Sequence, residues 1–461
     1  MTVELRKYAM KVLQGDMMTP ISVYQSLRGQ HKMLFESSAK HEESGRYSFI
    51  AMNPVAELKG NQSEFIFSKG MENNKASGNV LDQLKHVMPF HKDNYPFAFF
   101  GGVIGLFGYE TAFYTEKIGD YLQDDLDMPD VHVFFYDTFI VFDHLTQEIT
   151  LASIDLFLEG RSLEEMEAEI ANMERQLYAG TTFDETKVDK LDFKPMISKE
   201  QFVSLVERAK QHILRGDIFQ IVLSQRFSAP FTGSPFALYR QLRTSNPSPY
   251  MFYMDFGSYI ILGTSPESLV KVKNRMVTTN PIAGTKPRGE TVEQDQLIAN
   301  ALLEDEKEIA EHRMLVDLGR NDLGRIAKVG SVKIMKYMNI ERYKYVMHIV
   351  SEVIAELRDD LHVLDVLRAC LPAGTVSGAP KIRAMQLINE LEPVKRGVYA
   401  GAVGYISTTG DMDLALAIRT MIIKDQQAHV QAGAGIVYDS IPMSEYEETL
   451  NKARALLEVK K

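Results

Sequence analysis

Hydrophobic and polar residues recur along the chain with two periods, one typical of strands and one typical of helices. Residues 65–67, 131–142 and 149–158 are rich in β-branched and aromatic side chains with partial alternation, which predicts half-buried strands. The most apolar stretch, residues 96–108 (PFAFFGGVIGLFG), contains four glycines and is too short for a membrane span. We interpret it as a buried strand and turn.

Two amphipathic segments predict helices with clear starts. Residues 162–177 (SLEEMEAEIANMERQL) predict a helix that is capped by Ser162, and Glu165 would complete a capping box. A second helix is predicted to begin after Ser198 and to end at Gly216. Both helices would bury one apolar stripe against a core.

A polar, aperiodic stretch that ends in proline separates the two predicted helices. It indicates a linker at residues 181–194, between an N-terminal region of residues 1–180 and a second region of residues 195–461. In the second region strands alternate with helices without a clean βαβ repeat, which favours an α+β fold over a doubly wound parallel sheet.

Composition and charge exclude several classes of protein. The chain has 461 residues, of which 45% are hydrophobic and 25% charged, so it can bury a large core. Its net charge of −11 argues against nucleic acid or anionic membranes as partners, because these select basic surfaces. The first ten residues, MTVELRKYAM, lack the apolar segment of a secretory signal.

The chain has a single cysteine, Cys370. This excludes an intrachain disulfide and is typical of a protein of the reducing cytoplasm. Because Cys370 lies in an apolar run (VLRACLPAG), we expect a packed small side chain and not the nucleophile of a glutamine amidotransferase. If the chain uses nitrogen from glutamine, another protein must release it.

Two acidic segments far apart in sequence carry glutamates at helical spacing. Glu308 and Glu311 are three residues apart, and so are Glu445 and Glu448. On a helix each pair shares a face, and two such faces brought together would offer the hard oxygen ligands that Mg²⁺ prefers. Spacing alone favours the alternative, which is solvated helix surface.

Three glycine-rich turns stand among small and polar residues, at 281–289 (PIAGTKPRG), 372–381 (PAGTVSGAPK) and 432–435 (AGAG). Such turns let backbone N–H groups approach an anion closely. None has the spacing of a Walker or dinucleotide-binding fingerprint. From the residues alone, plain loops are as good an interpretation as ligand-binding turns.

These features occur together, in sequence motifs that strongly resemble those of the chorismate-utilising enzymes. The matching stretches are PIAGTKPRG, LLEDEKEIAEHRMLVDLGRNDLGR, LPAGTVSGAPKIRAMQLI, YAGAVGYI, LALAIRT, AGAGIVYDS and EYEETLNKARALL. They cover residues 195–456 densely, and a weaker match covers the N-terminal region. The resemblance implies an α+β fold with large antiparallel β-sheets packed face to face in the core and helices outside. It also implies chorismate as substrate and Mg²⁺ as cofactor.

Two positions bear on the reaction. Relatives that attack chorismate with water have a lysine as general base where this chain has Gln220, and an amide cannot act as that base. The 4-amino-4-deoxychorismate synthases have a nucleophilic lysine where this chain has Ala283. The chain therefore looks like the anthranilate synthases, which add ammonia to chorismate and expel pyruvate in tryptophan biosynthesis. An aminodeoxychorismate synthase component I and a non-catalytic tryptophan sensor are the alternatives.

The resemblance also implies roles for individual residues. Glu267 would be the general acid that protonates the departing C4 hydroxyl, with a raised pKa. The other catalytic residues would be His348, near the leaving hydroxyl, with Gln220 and Thr375. The ring carboxylate would be bound by Gly284, Thr285 and Lys452, and the enolpyruvyl carboxylate by Tyr399, Arg419 and Gly433, with Gly435 nearby. Mg²⁺ would be held by Glu311 and Glu448, with Glu308 and Glu445 in or just behind the coordination shell.

Anthranilate synthases are commonly inhibited by tryptophan through an LLES-type segment and an NPSPYM segment. This chain has the second in full, and it has Phe35 where the first normally has leucine. The resemblance implies that Glu36 and Ser37 bind the amino group of L-tryptophan, with the indole beside Pro249, Tyr250 and Met251. The alternative is a packing contact between the two segments. The missing amidotransferase machinery further implies a separate glutamine amidotransferase subunit as the source of ammonia.

Overall fold

The computed structural model describes residues 7–37, 45–91, 97, 99–180, 191–343 and 346–457, which form 24 β-strands and ten α-helices. The strands are β1 (Tyr8–Gln14), β2 (Met33–Glu36), β3 (Tyr47–Ala51), β4 (Ala56–Gly60), β5 (Glu64–Lys69), β6 (Glu72–Ser77), β7 (Gly102–Phe107), β8 (Val131–Tyr136), β9 (Thr138–Asp143), β10 (Glu148–Ile154), β11 (Lys194–Pro195), β12 (Gln220–Pro230), β13 (Tyr250–Asp255), β14 (Tyr259–Ser265), β15 (Ser268–Lys273), β16 (Met276–Thr279), β17 (Ile282–Pro287), β18 (Lys333–Arg342), β19 (Val346–Glu356), β20 (Gly378–Ala379), β21 (Ala402–Ser407), β22 (Met412–Leu416), β23 (Thr420–Lys424) and β24 (Gln427–Ile436). The helices are α1 (Pro20–Ser26), α2 (Val80–Val87), α3 (Leu163–Tyr178), α4 (Lys199–Leu214), α5 (Pro235–Ser245), α6 (Val292–Glu304), α7 (Glu306–Gly324), α8 (Val363–Cys370), α9 (Lys381–Leu391) and α10 (Pro442–Leu457), with short 3₁₀ helices at Tyr109–Tyr114 and Gly374–Val376.

The strands form two antiparallel sheets, each with 12 of the described strands. Sheet 1 has the order β1-β10-β9-β3-β2-β13-β14-β23-β24-β12-β11, with β20 beside β12. Sheet 2 has the order β17-β19-β16-β15-β22-β21-β7-β8-β4-β5-β6, with β18 beside β19. Strand β2 pairs with β13, and β7 pairs with β21, so the regions predicted at residues 1–180 and 195–461 share both sheets. Most of the predicted linker, residues 181–190, lies outside the described residues.

Alternation along the strands explains why the two sheets stack. In β13, Phe252 and Met254 belong to the large apolar cluster that also contains Val270 of sheet 2. Their neighbours Met251 and Tyr253 point to the other face of sheet 1 and join a second cluster, which α1, α3 and α5 cover. Sheets that face each other with helices outside confirm the predicted α+β fold.

Several local predictions are confirmed as well. Helix α3 begins after Ser162, and helix α4 begins after Ser198; in both, the serine and the residue three positions later form a capping box. The apolar stretch near residue 100 contains the buried strand β7. Cys370 is buried at the end of α8, and burial raises the pKa of its thiol to about 12. Within the described residues, no helix is long and apolar enough to cross a membrane.

Candidate active site

A cavity of about 820 Å³ is lined by residues from both sheets and from helices α7 and α10. Every residue that the resemblance implies for catalysis, substrate binding or the metal lies on its wall. These residues are Gln220, Glu267, Gly284, Thr285, Glu308, Glu311, His348, Thr375, Tyr399, Arg419, Gly433, Gly435, Glu445, Glu448 and Lys452. Segments more than two hundred residues apart in sequence therefore meet at one place.

Glu267 is a buried carboxyl group on this wall. Leu416 holds the short link between β14 and β15 with two hydrogen bonds. The N–H of Leu416 donates to the carbonyl oxygen of Glu267 (3.0 Å), and the carbonyl oxygen of Leu416 accepts from Ser265 Oγ (2.7 Å). The hydroxyl of Thr375 donates to Glu267 Oε1 over 2.7 Å. Burial raises the pKa of Glu267 to about 7, against the opposing effects of Thr375 and Lys452. A carboxyl group with this pKa can donate a proton at neutral pH.

His348 lies on β19, opposite Thr285 of β17 in the register of sheet 2. Its Nδ1 lies 3.1 Å from the carbonyl oxygen of Gly284 and 3.0 Å from Thr285 Oγ1. A carbonyl oxygen can only accept, so Nδ1 carries the proton and Nε2 of the neutral ring is an acceptor. Burial lowers the pKa of His348, which favours this neutral form.

The two acidic pairs reach the cavity from different helices. Glu308 and Glu311 lie on α7, and Glu445 and Glu448 lie on α10. Burial, with repulsion from the other glutamate of the same pair, raises the pKa of Glu308 and of Glu445. Lys452, one turn after Glu448, contacts its carboxylate (2.7 Å) and donates to the carbonyl of Gly433 (3.0 Å). The acidic pairs are therefore neutralised only in part.

The donor set suits a hard divalent cation, although the protein does not build a closed cage for one. Among the described residues, no three His, Cys, Asp or Glu side chains cluster closely enough to hold a metal ion by themselves. Mg²⁺ commonly binds one or two carboxylates and completes its shell with water and substrate oxygens. Carboxylates on two walls of an open cavity fit that mode of binding.

Positive charge lines another part of the wall. The side chain of Arg419 is exposed within the cavity, yet the surrounding protein desolvates it and lowers its pKa. No carboxylate of the described residues forms an ion pair with it. Arg419 has a φ of 47°, and Ala400, next to Tyr399, has a φ of 64°. Left-handed backbone costs a non-glycine residue about 1 kcal/mol or more, so the fold holds both positions against strain.

Gln220 stands between the acidic and the glycine-rich walls. Its Nε2 lies 3.4 Å from Glu311 Oε1, while its buried Oε1 has no hydrogen-bond partner among the residues that the structure describes. A Cβ added at Gly435 would lie 2.9 Å from Gln220 Nε2, and one at Gly433 would lie 2.6 Å from the hydroxyl of Tyr399. Glycine at these positions therefore leaves room for the side chains that face the cavity.

Other wall residues were not assigned a role from the sequence. They include Lys307, Tyr343, Gln431, Asp439 and Ser444. Gln431 was accessible to sequence reasoning, because it precedes Gly433 by two residues on β24 and so shares its face. Tyr343 carried no comparable signal, since only the fold brings its ring to 5.3 Å from that of His348.

The two segments predicted to bind tryptophan are adjacent strands of sheet 1, where Glu36 of β2 pairs with Met251 of β13. The carboxylate of Glu36 is buried and accepts hydrogen bonds from Tyr239 Oη (2.6 Å) and from Arg243 Nε (2.9 Å) and Nη2 (2.8 Å). Ser37 follows β2 and is half-buried, and Pro249 and Met251 are buried. Tyr250 Oη donates to Asp413 (2.9 Å). The segments thus meet, as both interpretations require.

The sequence and the fold can be compared with known proteins. The pattern of the chorismate binding enzyme family matches residues 30–458. Anthranilate synthase component 1 of Lactococcus lactis is 45% identical over 97% of this chain and 99% of its own length. The same-named protein of Aquifex aeolicus is also 45% identical, over 96% of this chain and 92% of its own length.

Solved structures agree with these sequence comparisons. Anthranilate synthase component I from Streptococcus pneumoniae has a TM-score of 0.85 and 48% identity, covering 97% of this chain and 99% of that one. MenF, the menaquinone-specific isochorismate synthase from Escherichia coli, has a TM-score of 0.75 at 20% identity, covering 99% and 97%, and shares the fold. The resemblance inferred from the motifs is confirmed: the chain belongs to the chorismate-binding enzymes and, within them, to the anthranilate synthase component 1 family.

Proposed function

We propose that this chain adds ammonia to chorismate and releases water and pyruvate, which yields anthranilate for tryptophan biosynthesis. The observation that carries the proposal is one cavity that combines a protonatable carboxyl group, Glu267, with two pairs of glutamates and the cation of Arg419, which pairs with no carboxylate in the described part of the chain. The cavity also has Gln220 and Ala283 where lysines would favour attack by water or covalent catalysis. The names of the relatives support the same activity.

Substrate binding follows from the charges on the wall. Chorismate carries two carboxylates, and the planar guanidinium of Arg419 matches one of them, the enolpyruvyl carboxylate, beside the hydroxyl of Tyr399. The ring carboxylate would be bound by backbone at Gly284 and Thr285 and by Lys452. Strain at Arg419 and Ala400 supports this assignment, because strained backbone tends to collect where a ligand is clamped.

Glu267 would protonate the C4 hydroxyl as its C–O bond breaks. Thr375 donates to Oε1, so the acidic proton resides on Oε2, the oxygen left for the substrate. Nitrogen adds to the ring, the C4 oxygen leaves as water, and loss of pyruvate then makes the ring aromatic. The neutral imidazole of His348 would accept a hydrogen bond near the leaving group.

Ammonia would approach beside Gln220. Within the described residues the Oε1 of this amide has no partner, so it can accept an N–H bond from neutral ammonia, which needs no base before it attacks. A glutamine amidotransferase subunit would supply the ammonia, because Cys370 is buried and its thiol pKa is too high for a nucleophile. A single free cysteine also suits the reducing cytoplasm, where we place the enzyme.

Mg²⁺ would be held by Glu311 and Glu448, supported by Glu308 and Glu445, and would supply positive charge where the substrate carboxylate meets these four groups. Without such a charge, a dianionic substrate would be repelled by the acidic walls. The raised pKa values of Glu308 and Glu445 support this view, because burial and, after it, repulsion from the other glutamate of each pair disfavour their negative charge, which a bound cation would stabilise.

Incubation of the purified chain with chorismate, Mg²⁺ and an ammonium salt tests the proposal. We expect anthranilate, seen by its fluorescence, at a pH high enough for free ammonia to be present. Glutamine should replace ammonium only when an amidotransferase subunit is added. An amino-chorismate that keeps its enolpyruvyl group would favour the aminodeoxychorismate synthase alternative, and no product would favour a binding protein.

We also propose feedback inhibition by L-tryptophan at the junction of β2 and β13. A carboxylate accepts about four hydrogen bonds, and Glu36 already accepts three, which leaves one for an amino group beside Ser37. Tyr250 pairs with Ser265 in the β13–β14 hairpin, two residues from Glu267. This gives inhibitor binding a short physical connection to the proposed general acid.

A Ser37→Phe variant tests this regulation. We expect millimolar tryptophan to inhibit the wild-type chain, and the bulky ring to lower the affinity for tryptophan by at least about tenfold, or about 1.4 kcal/mol. Each variant is assayed with and without tryptophan, so that inhibition is a ratio within one protein. Ser258→Phe, at the exposed far end of the β13–β14 hairpin, is the matched control. Activity that tryptophan leaves unchanged in every variant would reject the site.

A further inference from the structure

A buried ion pair lies directly behind the cavity wall. Arg396, in the segment between α9 and β21, and Glu392 have side chains that are 1% and 3% exposed. The guanidinium binds the carboxylate in a bidentate manner, with Nε to Oε2 at 2.8 Å and Nη2 to Oε1 at 2.6 Å. Such pairs are geometrically specific and costly to break from one side.

The same guanidinium ties two cavity-lining segments together through their backbone. Its Nη1 donates to the carbonyl of Val376 (2.7 Å), and its Nη2 donates to the carbonyl of Val222 (2.7 Å). Val376 directly follows Thr375, whose hydroxyl binds Glu267. Val222 lies on β12, two residues after Gln220. One side chain thus sets the distance between the Thr375 turn and the strand that carries Gln220.

Aromatic rings and a polar network extend the contact. The rings of Tyr109 and Tyr399 lie 4.9 Å and 5.5 Å from the guanidinium carbon, so Tyr399 is held from behind. Glu392 Oε1 also accepts from Ser224 N (2.8 Å) and Oγ (2.9 Å), and Ser224 Oγ accepts from Gln431 of the cavity wall (2.9 Å). Tyr399 and Gln431 both line the cavity, so the network around Arg396 reaches its wall at two further points.

The N-terminal region completes the arrangement through Glu110. This buried carboxyl group accepts the backbone N–H of Arg396 (2.9 Å) and that of Gly397 (3.0 Å). Glu110 and Tyr109 belong to the 3₁₀ helix that follows β7. The contacts around Arg396 therefore join both predicted regions of the chain at the back of the cavity.

We propose that Arg396, fixed by Glu392 and Glu110, is a positioning residue for the reaction: it holds the Thr375 turn, strand β12 and Tyr399 in the spacing that catalysis requires. The inference rests on the proposed function. Arg396 does not reach the cavity, so its effect is indirect and falls on geometry. A lysine in its place would keep the charge but could not donate in the fixed planar fork to Glu392, Val222 and Val376 together.

The test compares Arg396→Lys with Arg275→Lys. Arg275 also donates to backbone carbonyls, those of Leu357, Arg358 and Leu361, but neither it nor they line the cavity. We expect Arg396→Lys to lower kcat by about 10–100-fold, as loosened support of a site does, with a change of less than about tenfold in KM for chorismate. Arg275→Lys should keep the kcat of the wild-type chain when both are compared at the same folded fraction, which circular dichroism measures.

The pH profile separates positioning from stability. Thr375 lowers the pKa of Glu267 by its hydrogen bond, so a displaced Thr375 turn should move the pH at which kcat/KM for chorismate declines upwards. If Arg396→Lys does not fold, Glu392→Gln, which keeps the arginine and the side-chain volume, is expected to show the same shift. Folded variants with wild-type kcat and pH profile, or activity lost only in proportion to unfolded protein, would overturn the inference. An inactive wild-type chain would instead reject the proposed function.

Discussion

A Glu267→Gln variant is expected to lose about 10²- to 10⁴-fold in kcat, the range for removal of a positioned general acid, while chorismate still binds. The amide keeps the size of the side chain and can still accept from Thr375, but it has no proton to give to the departing hydroxyl. Anthranilate fluorescence at saturating chorismate measures kcat, and calorimetry measures binding. A variant with kcat within tenfold of wild type would exclude Glu267 as the acid.

The pH dependence follows from the same group. Burial raises the pKa of Glu267 to about 7, and in the proposed role of general acid it would act in its protonated form. As pH rises through 7 the protonated fraction falls, so kcat/KM for chorismate at a fixed concentration of free ammonia should fall tenfold for each further pH unit. Total ammonium must be adjusted at each pH, because free ammonia rises in the opposite direction. In Glu267→Gln this decline should disappear.

The sequence predicted what depends on local periodicity. The capping box at Ser162, the helix start at Ser198 and the spacing of Glu308 and Glu311 are properties of one helix each, so the local sequence determines them. Strand order is different. That β2 lies beside β13 depends on a pairing across more than two hundred residues, which no local pattern specifies. For the same reason the division at residues 181–194 did not reveal that both regions share the two sheets.

The candidate site shows the same division. Residues such as Glu267 and Arg419 could be named from the resemblance, because recognisable family motifs flank them in the sequence. Arg396 could not, since its chemistry lies in bonds to the carbonyls of Val222 and Val376, which any residue could supply. The hydrogen bonds that Arg243 and Tyr239 donate to Glu36 could not be predicted either, because α5 supplies both partners from another part of the chain.

Loss of the metal is expected to have the other large effect. Mutation of a residue that only hydrogen-bonds to a metal ligand changes metal affinity by about 10–100-fold. Replacement of a ligand itself, in Glu311→Gln or Glu448→Gln, should therefore lower the affinity for Mg²⁺ by at least about 10²-fold. Glu447→Gln is the matched control, because Glu447 is an exposed neighbour on α10 that does not line the cavity. Calorimetric titration with Mg²⁺ alone gives the affinities without reference to turnover.

Chorismate binding should follow the metal. The ring carboxylate of a dianionic substrate would meet four glutamates, and without a cation the repulsion should prevent measurable binding, so EDTA should abolish binding as well as turnover. Because a metal binds deprotonated carboxylates, the raised pKa values of Glu308 and Glu445 also predict that Mg²⁺ affinity falls as pH is lowered and that binding releases protons. Tight chorismate binding in EDTA would mean that Arg419 and Lys452 alone overcome the acidic walls, and the metal would then have no part in substrate recognition.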